Sequence, residues 1–164
     1  MIDSLAAAGY VMPADVAVWR REGYDSIDYS DGDNSEDGLL ATLRAAADVS
    51  VFSSELAAAC VDWPSRYHLS TERANLLRPF AQHLQPGARV LEIGAGCGAV
   101  TRYLGECGAE VLALEGSLRR ASIARERTRE LRNVAVVAER FQDFSVAQRF
   151  DVVTLIGVLE YAHR

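Results

Sequence analysis

The pattern of apolar and polar positions changes character near residue 88. Beyond that point, short β-branched or leucine-rich runs alternate with stretches of helical periodicity. Residues 89–93, 110–114, 134–138 and 150–156 read as strands, and residues 99–106 and the stretch from the Ser117 cap to about Leu131 read as helices. The first strand is apolar enough to be buried on both faces, as strands of a parallel sheet are. This alternation predicts an α/β sheet of parallel strands with helices on both faces. Upstream, the pattern is helical and repeatedly interrupted. Residues 13–21 read as a short helix behind Pro13 and residues 24–37 as an acidic loop. Residues 39–47 and 54–60 read as two helices, the second stopped by Trp63-Pro64. A further helix runs from Ser70 or Thr71 to Leu84, broken at Pro79. Two parts are therefore expected: an N-terminal helical lead-in or lid over 1–85, and a Rossmann-like half domain over 86–164 whose sheet stops after its fourth strand.

The join between the first of these strands and its helix carries the chemistry. It reads Val90-Leu91-Glu92-Ile93-Gly94-Ala95-Gly96-Cys97-Gly98-Ala99. Glycines let the chain turn tightly and let a ligand approach the backbone. The helix that follows offers unsatisfied N–H groups and a partial positive charge to an anion. Glu92, at the strand's carboxyl end, would repel a pyrophosphate but suits an ammonium group. S-adenosylmethionine carries both a carboxylate and an amine. Glu115 falls roughly 20 residues beyond the glycines, where an acid binds ribose hydroxyls. Gly94, Gly96 and Ala99 also satisfy the looser dinucleotide fingerprint. An NAD-type oxidoreductase and a noncatalytic S-adenosylmethionine-binding module therefore stay open beside a methyltransferase.

From Arg89 to Arg164 the sequence resembles the class I S-adenosylmethionine-dependent methyltransferases. The glycine segment is similar to that family's first motif, Glu115 to its ribose acid, and Gln142-Asp143-Phe144 to its adenine-reading segment. The run from Phe150 to Tyr161 is similar to the fourth motif, whose end lies beside the transferred methyl. The resemblance implies S-adenosylmethionine as cofactor. It places Glu92, Gly94, Ala95, Gly96 and Gly98 at the amino-acid end, Glu115 and Gly116 at the ribose, Asp143 and Phe144 at the adenine, and Gly157 near the methyl. His163 follows the fourth strand and is the candidate catalytic base. Tyr67-His68-Leu69-Ser70 with Arg73-Ala74-Asn75-Leu76-Leu77-Arg78-Pro79 resembles the lead-in of larger bacterial methyltransferases associated with surface-polysaccharide synthesis, which implies a small-molecule or saccharide acceptor. A full sheet of this class continues past a fourth strand. The chain therefore reads as a fragment, or as a piece that forms a homodimer through the exposed edge of that strand.

Composition narrows the partners. The chain has 164 residues, 49% of them hydrophobic, and a net charge of -6, which argues against a nucleic-acid partner. Cys60, Cys97 and Cys107 are scattered, as are His68, His83 and His163, so neither a disulfide framework nor a metal site is indicated. No apolar run reaches membrane-spanning length, and the N-terminus lacks a signal-peptide pattern; a cytoplasmic location is expected. Asp31, Asp33, Ser35 and Asp37 alternate like the start of a calcium loop, but Glu36 stands where glycine is needed. The arginines between 119 and 132 share their helix with Glu126 and Glu130 and read as a solvated face. Trp19 and Trp63 are expected in the core, Tyr67 and His68 either as a lid or as edge and surface residues, and Cys97 as packing.

Overall fold

The computed structural model describes residues 1–28 and 32–159, with residues 33 and 34 described by their backbone only. Strand β1 (Tyr10–Val11) pairs antiparallel with β2 (Trp19–Arg21). All other pairings are parallel. The six strands run in the order β1-β2-β5-β4-β3-β6, where β3 is Arg89–Ile93, β4 Glu110–Glu115, β5 Val134–Ala138 and β6 Val152–Leu155. From β3 the chain steps outward to β4 and then β5. It next crosses back to lay β6 on the other side of β3. The strand order thus reverses at β3, and the carboxyl ends of β3 and β6 flank the crevice where open α/β sheets bind ligands.

Side-chain alternation splits the sheet's residues between two cores. Val90, Val111, Ala113, Val134 and Val136 face helices α5 (Ala99–Glu106) and α6 (Leu118–Arg127), packing against Val100, Leu104, Ala121 and Ala124. Leu91, Leu112, Leu114, Ala135 and Val137 face the other side. There they pack with Leu5 of α1 (Ile2–Ala7) and with the partly buried Phe144, Val146 and Phe150. A third cluster joins the N-terminal helices to α6. Leu39 and Leu43 of α2 (Asp33–Ala45), Leu56 of α3 (Ser54–Ala58) and Leu69 of α4 (Trp63–Leu69) surround Ile123 and Cys97. That packing sets α4 beside the glycine loop. No helix among the described residues is long and apolar enough to cross a membrane.

Several upstream expectations are corrected. Residues 13–21 do not form a helix: Ala17 takes a positive φ of 53°, and Trp19–Arg21 joins the sheet edge beside β5. Parallel pairing and burial of Val18 and Trp19 outweigh a helical pattern that spans only about two and a half turns. The acidic loop ends early, because α2 begins at Asp33. Trp63-Pro64 opens a helix. Asp62 caps it with a reciprocal pair of bonds to Ser65, and Pro64 sits in the first turn, where no N–H is needed. Residues 71–83 form two 3₁₀ helices separated at Leu77, two residues before Pro79.

Candidate cofactor site

The loop after β3 is tied down from below. The N–H groups of Gly94 and Ala95 both donate to the Leu114 carbonyl, at 2.8 and 3.0 Å, and Gly98 N–H donates to Ala95 at 3.0 Å. Gly96 N–H donates to Glu115 Oε2 at 2.8 Å, while Glu115 Oε1 accepts from Ser117 N–H at 2.9 Å. The acid at the end of β4 thereby braces the glycine loop. With these amides engaged inside the protein, the positive charge facing a ligand comes from the first turn of α5 and from side chains.

Those side chains converge on a cavity of about 60 Å³ at the sheet's reversal. Glu92, Gly94, Ala95, Gly96 and Gly157 of the expected residues line it. Tyr67, His68, Arg73, Cys97, Arg120 and Ile156 are also part of its wall. Drug-sized ligands fill pockets of about 300–1,000 Å³, so this enclosed space takes the end of a ligand and not its full length. Glu92 is only 4% exposed, and its Oε2 has no hydrogen-bond partner among the described residues. Burial pushes its carboxyl up to about 8, with the Thr101 hydroxyl pulling the other way, Glu115 adding to the rise and Arg73 opposing it. Thr154, in register with Glu92 on β6, is also buried with an unpaired hydroxyl. Buried polar oxygens left without donors mark a place built for a donor. One acid and two arginines in one small cavity match a zwitterion.

Arg120 and Arg73 were not among the site residues read from the sequence. The solvated-face reading of the arginine-rich helix is corrected for Arg120 and Arg127, both buried. Helix α2 brings buried Glu36 to 3.2 Å from Arg119 and 3.6 Å from Arg120, and Arg119 also reaches Asp37 at 2.7 Å. Arg127 donates to the His68 carbonyl at 2.6 Å, fixing α4 against α6. His68 itself is buried and on the cavity wall, not a surface residue. Burial pushes the Cys97 thiol up to about 12, which leaves it no thiolate character.

The remaining expected residues within the described chain do not line the cavity. A Cβ on Gly98 would stand 2.8 Å from the Ala124 backbone, so Gly98 serves the contact of α5 with α6. Gly116 lies under a strap from the N-terminal region. The Tyr24 hydroxyl and the Ile27 N–H both donate to the Gly116 carbonyl, at 2.6 and 3.2 Å, and the Ser26 hydroxyl accepts from Leu118 N–H at 2.9 Å. Burial holds the Tyr24 phenol up at about 12, so it remains a donor at physiological pH. Replacing Tyr24 by Phe is expected to lower stability by about 1 kcal/mol, read by urea unfolding. Asp143 is exposed in a turn, and Phe144 packs near Tyr10, with ring centroids 6.1 Å apart. His163, like Glu160 and Tyr161, lies outside the described residues.

Residues 91–164 match the family model described as a methyltransferase domain. Among solved structures, the chain is similar to the glycopeptide N-methyltransferase MtfA complexed with sinefungin, with 29% identity over 49% of this chain and 34% of that one and a TM-score of 0.44. It is also similar to coclaurine N-methyltransferase bound to N-methylheliamine and SAH, with 19% identity over 76% and 42% and a TM-score of 0.46. A SAM-dependent methyltransferase from Geobacter sulfurreducens in complex with S-adenosyl-L-homocysteine shares 18% identity over 73% and 43%, with a TM-score of 0.45. The chain thus spans less than half the length of each of these structures. No curated protein matches the sequence. Residues 91–164 are thus similar to methyltransferase domains, and their glycine turn and the strand order reversing at β3 accord with that similarity.

Proposed function

We propose that the chain is the cofactor-binding portion of an enzyme that transfers a methyl group from S-adenosylmethionine to a small-molecule or saccharide acceptor. The observation that carries this reading is buried Glu92, with its Oε2 lacking a partner among the described residues, in a cavity it shares with Arg73 and Arg120. Bound there, S-adenosylmethionine supplies an electrophilic methyl group on a sulfonium. Glu92 takes the ammonium of its amino-acid end. Arg73, Arg120 and the first turn of α5 take the carboxylate. Gly96, at φ 56° and with only the Arg120 guanidinium, 3.9 Å from where a Cβ would stand, as a neighbour there, lets the ligand lie against the backbone. Glu115 keeps a second lone pair on each oxygen for ribose hydroxyls. Asp143 and Phe144 read the adenine, and Gly157 leaves room beside the transferred carbon. His163 is the base if the acceptor's nucleophile is a hydroxyl. The outer edge of β6, with Val153 and Leu155 exposed, pairs with a further strand or with a second copy of the chain. We place the protein in the cytoplasm.

A dinucleotide fits this cavity poorly, because it brings no ammonium to ionise and pair with the protonated Glu92 carboxyl, and the small cavity takes only the end of a ligand. Calorimetric titration with S-adenosylhomocysteine and with NAD separates the two. S-adenosylhomocysteine is expected to bind in the micromolar range and NAD at least about 100-fold more weakly, given the size of the charge-assisted pairing with Glu92 that NAD lacks. Tighter binding of NAD overturns the proposal.

A further inference from the structure

Beside the cofactor cavity lies a second, larger depression of about 660 Å³ with no role so far. It shares Tyr67 and Arg73 with the first cavity, so a ligand in one is separated from the other by those two side chains. Its most unusual feature is Trp63, 67% exposed at the start of α4. An indole that open to water is not there to build a core. It is also held firmly. The Asp62–Ser65 capping box fixes the turn that carries it, and Tyr67, one turn along, packs against it with ring centroids 4.7 Å apart. Arg73 in turn covers the Tyr67 ring at 4.2 Å.

Around this aromatic platform the charges cancel. Asp62 and Glu72 face Arg66 and Arg73, and Arg66 already donates to Glu72 at 2.7 Å. A cation stacked on Trp63 would meet two guanidinium groups, and an anion would meet two carboxylates. The groove suits a neutral ligand. Its rim mixes donors (Arg66, Arg73) with acceptors (Asp62, Glu72), an array that matches hydroxyl groups, which both donate and accept. A sugar ring combines a C–H face for the indole with such hydroxyls on its edge.

We propose that this groove binds a neutral sugar ring of the methyl acceptor, stacked on Trp63. The assignment of the groove to an acceptor rests on the methyltransferase reading above; its sugar chemistry rests on the groove itself. The test follows tryptophan emission of the full chain during titration with neutral methyl hexopyranosides, with indole, glucuronate and tetramethylammonium as comparisons. Trp19 is buried, so Trp63 reports the contact. At least one hexopyranoside is expected to give a saturable shift at millimolar concentration. By saturation-transfer NMR, Trp63→Ala should weaken that binding at least tenfold, with Trp63→Phe retaining part of it. No saturable response to any hexopyranoside overturns the inference, and so does a stronger response to indole, glucuronate or tetramethylammonium. S-adenosylhomocysteine affinity is measured separately on the same protein. Intact cofactor binding with no sugar response removes the sugar site alone, whereas loss of cofactor binding removes the methyltransferase reading.

Discussion

Glu92→Gln should weaken S-adenosylmethionine binding by about 100-fold or more, yet make the ligand-free protein more stable at pH 8. The two effects have one cause. An ammonium bound in the cavity needs a full negative charge beside it, and an amide oxygen leaves much of that cation unpaired. Without a ligand, the buried carboxyl is a liability. Its pKa is raised from 4.5 to about 8 by burial, so the folded protein holds a proton that the unfolded chain releases. Below about pH 4.5 the group is protonated in both states and imposes no penalty. Stability then falls as pH rises, until the folded form also ionises near pH 8. Glutamine mimics the protonated acid at every pH, so the variant should show no loss from this group across that window. At pH 8 the gain is about 4 kcal/mol, on the order of three pKa units of linkage. Urea unfolding at pH 5 and pH 8 checks it. A variant equally destabilised at both would show that Glu92 is a paired structural residue. Binding at pH 7 should also release a proton from Glu92, seen as a dependence of the calorimetric enthalpy on the buffer's ionisation heat.

The second large effect separates two glycines of one motif. Gly98→Ala should destabilise the fold by about 2–5 kcal/mol, the sum of a left-handed backbone penalty and overpacking. Its φ is +83°, and the new Cβ would stand 2.8 Å from the Ala124 Cα, a backbone atom that cannot swing aside. Gly96→Ala meets nothing closer than the Arg120 guanidinium at 3.9 Å, so its fold should lose only about 1 kcal/mol from φ. Yet Gly96 lines the cavity and Gly98 does not. S-adenosylhomocysteine affinity should therefore drop at least tenfold in Gly96→Ala. It should stay near the parent value for whatever fraction of Gly98→Ala remains folded. Thermal melts with and without ligand distinguish the two. Equal ligand-induced shifts in both variants would contradict the division of roles.

What the linear chain determined was the frame of the sheet and its opening turn. Strands 89–93, 110–115, 134–138 and 152–155 are runs of apolar residues too short and too β-branched to be helices. The glycines at 94, 96 and 98 stand where only a positive φ closes the turn. These signals are local, and they are written in consecutive residues. The placement of Glu92 at the mouth of that turn was equally legible, since it follows from being two residues before the first glycine.

Tertiary structure decided the rest, because it depends on partners far apart in sequence. Trp19–Arg21 is a strand only because β5 offers it an edge, and nothing in three residues announces that. Arg120 looks like one of several exposed arginines until Glu36, more than eighty residues earlier, is packed against it and the glycine loop opens beside it. His68 and Arg73 enter the cavity because α4 is clamped to α6 through Leu69, Ile123 and Arg127. Trp63, expected in a core, is left outside for the same reason: the capping box at Asp62 turns the helix so that Ser65, His68 and Leu69 are buried instead. Local residue order sets backbone conformation over a few residues. Which charges are buried together, and what they can hold, is set by packing between elements that the chain brings together only once it has folded.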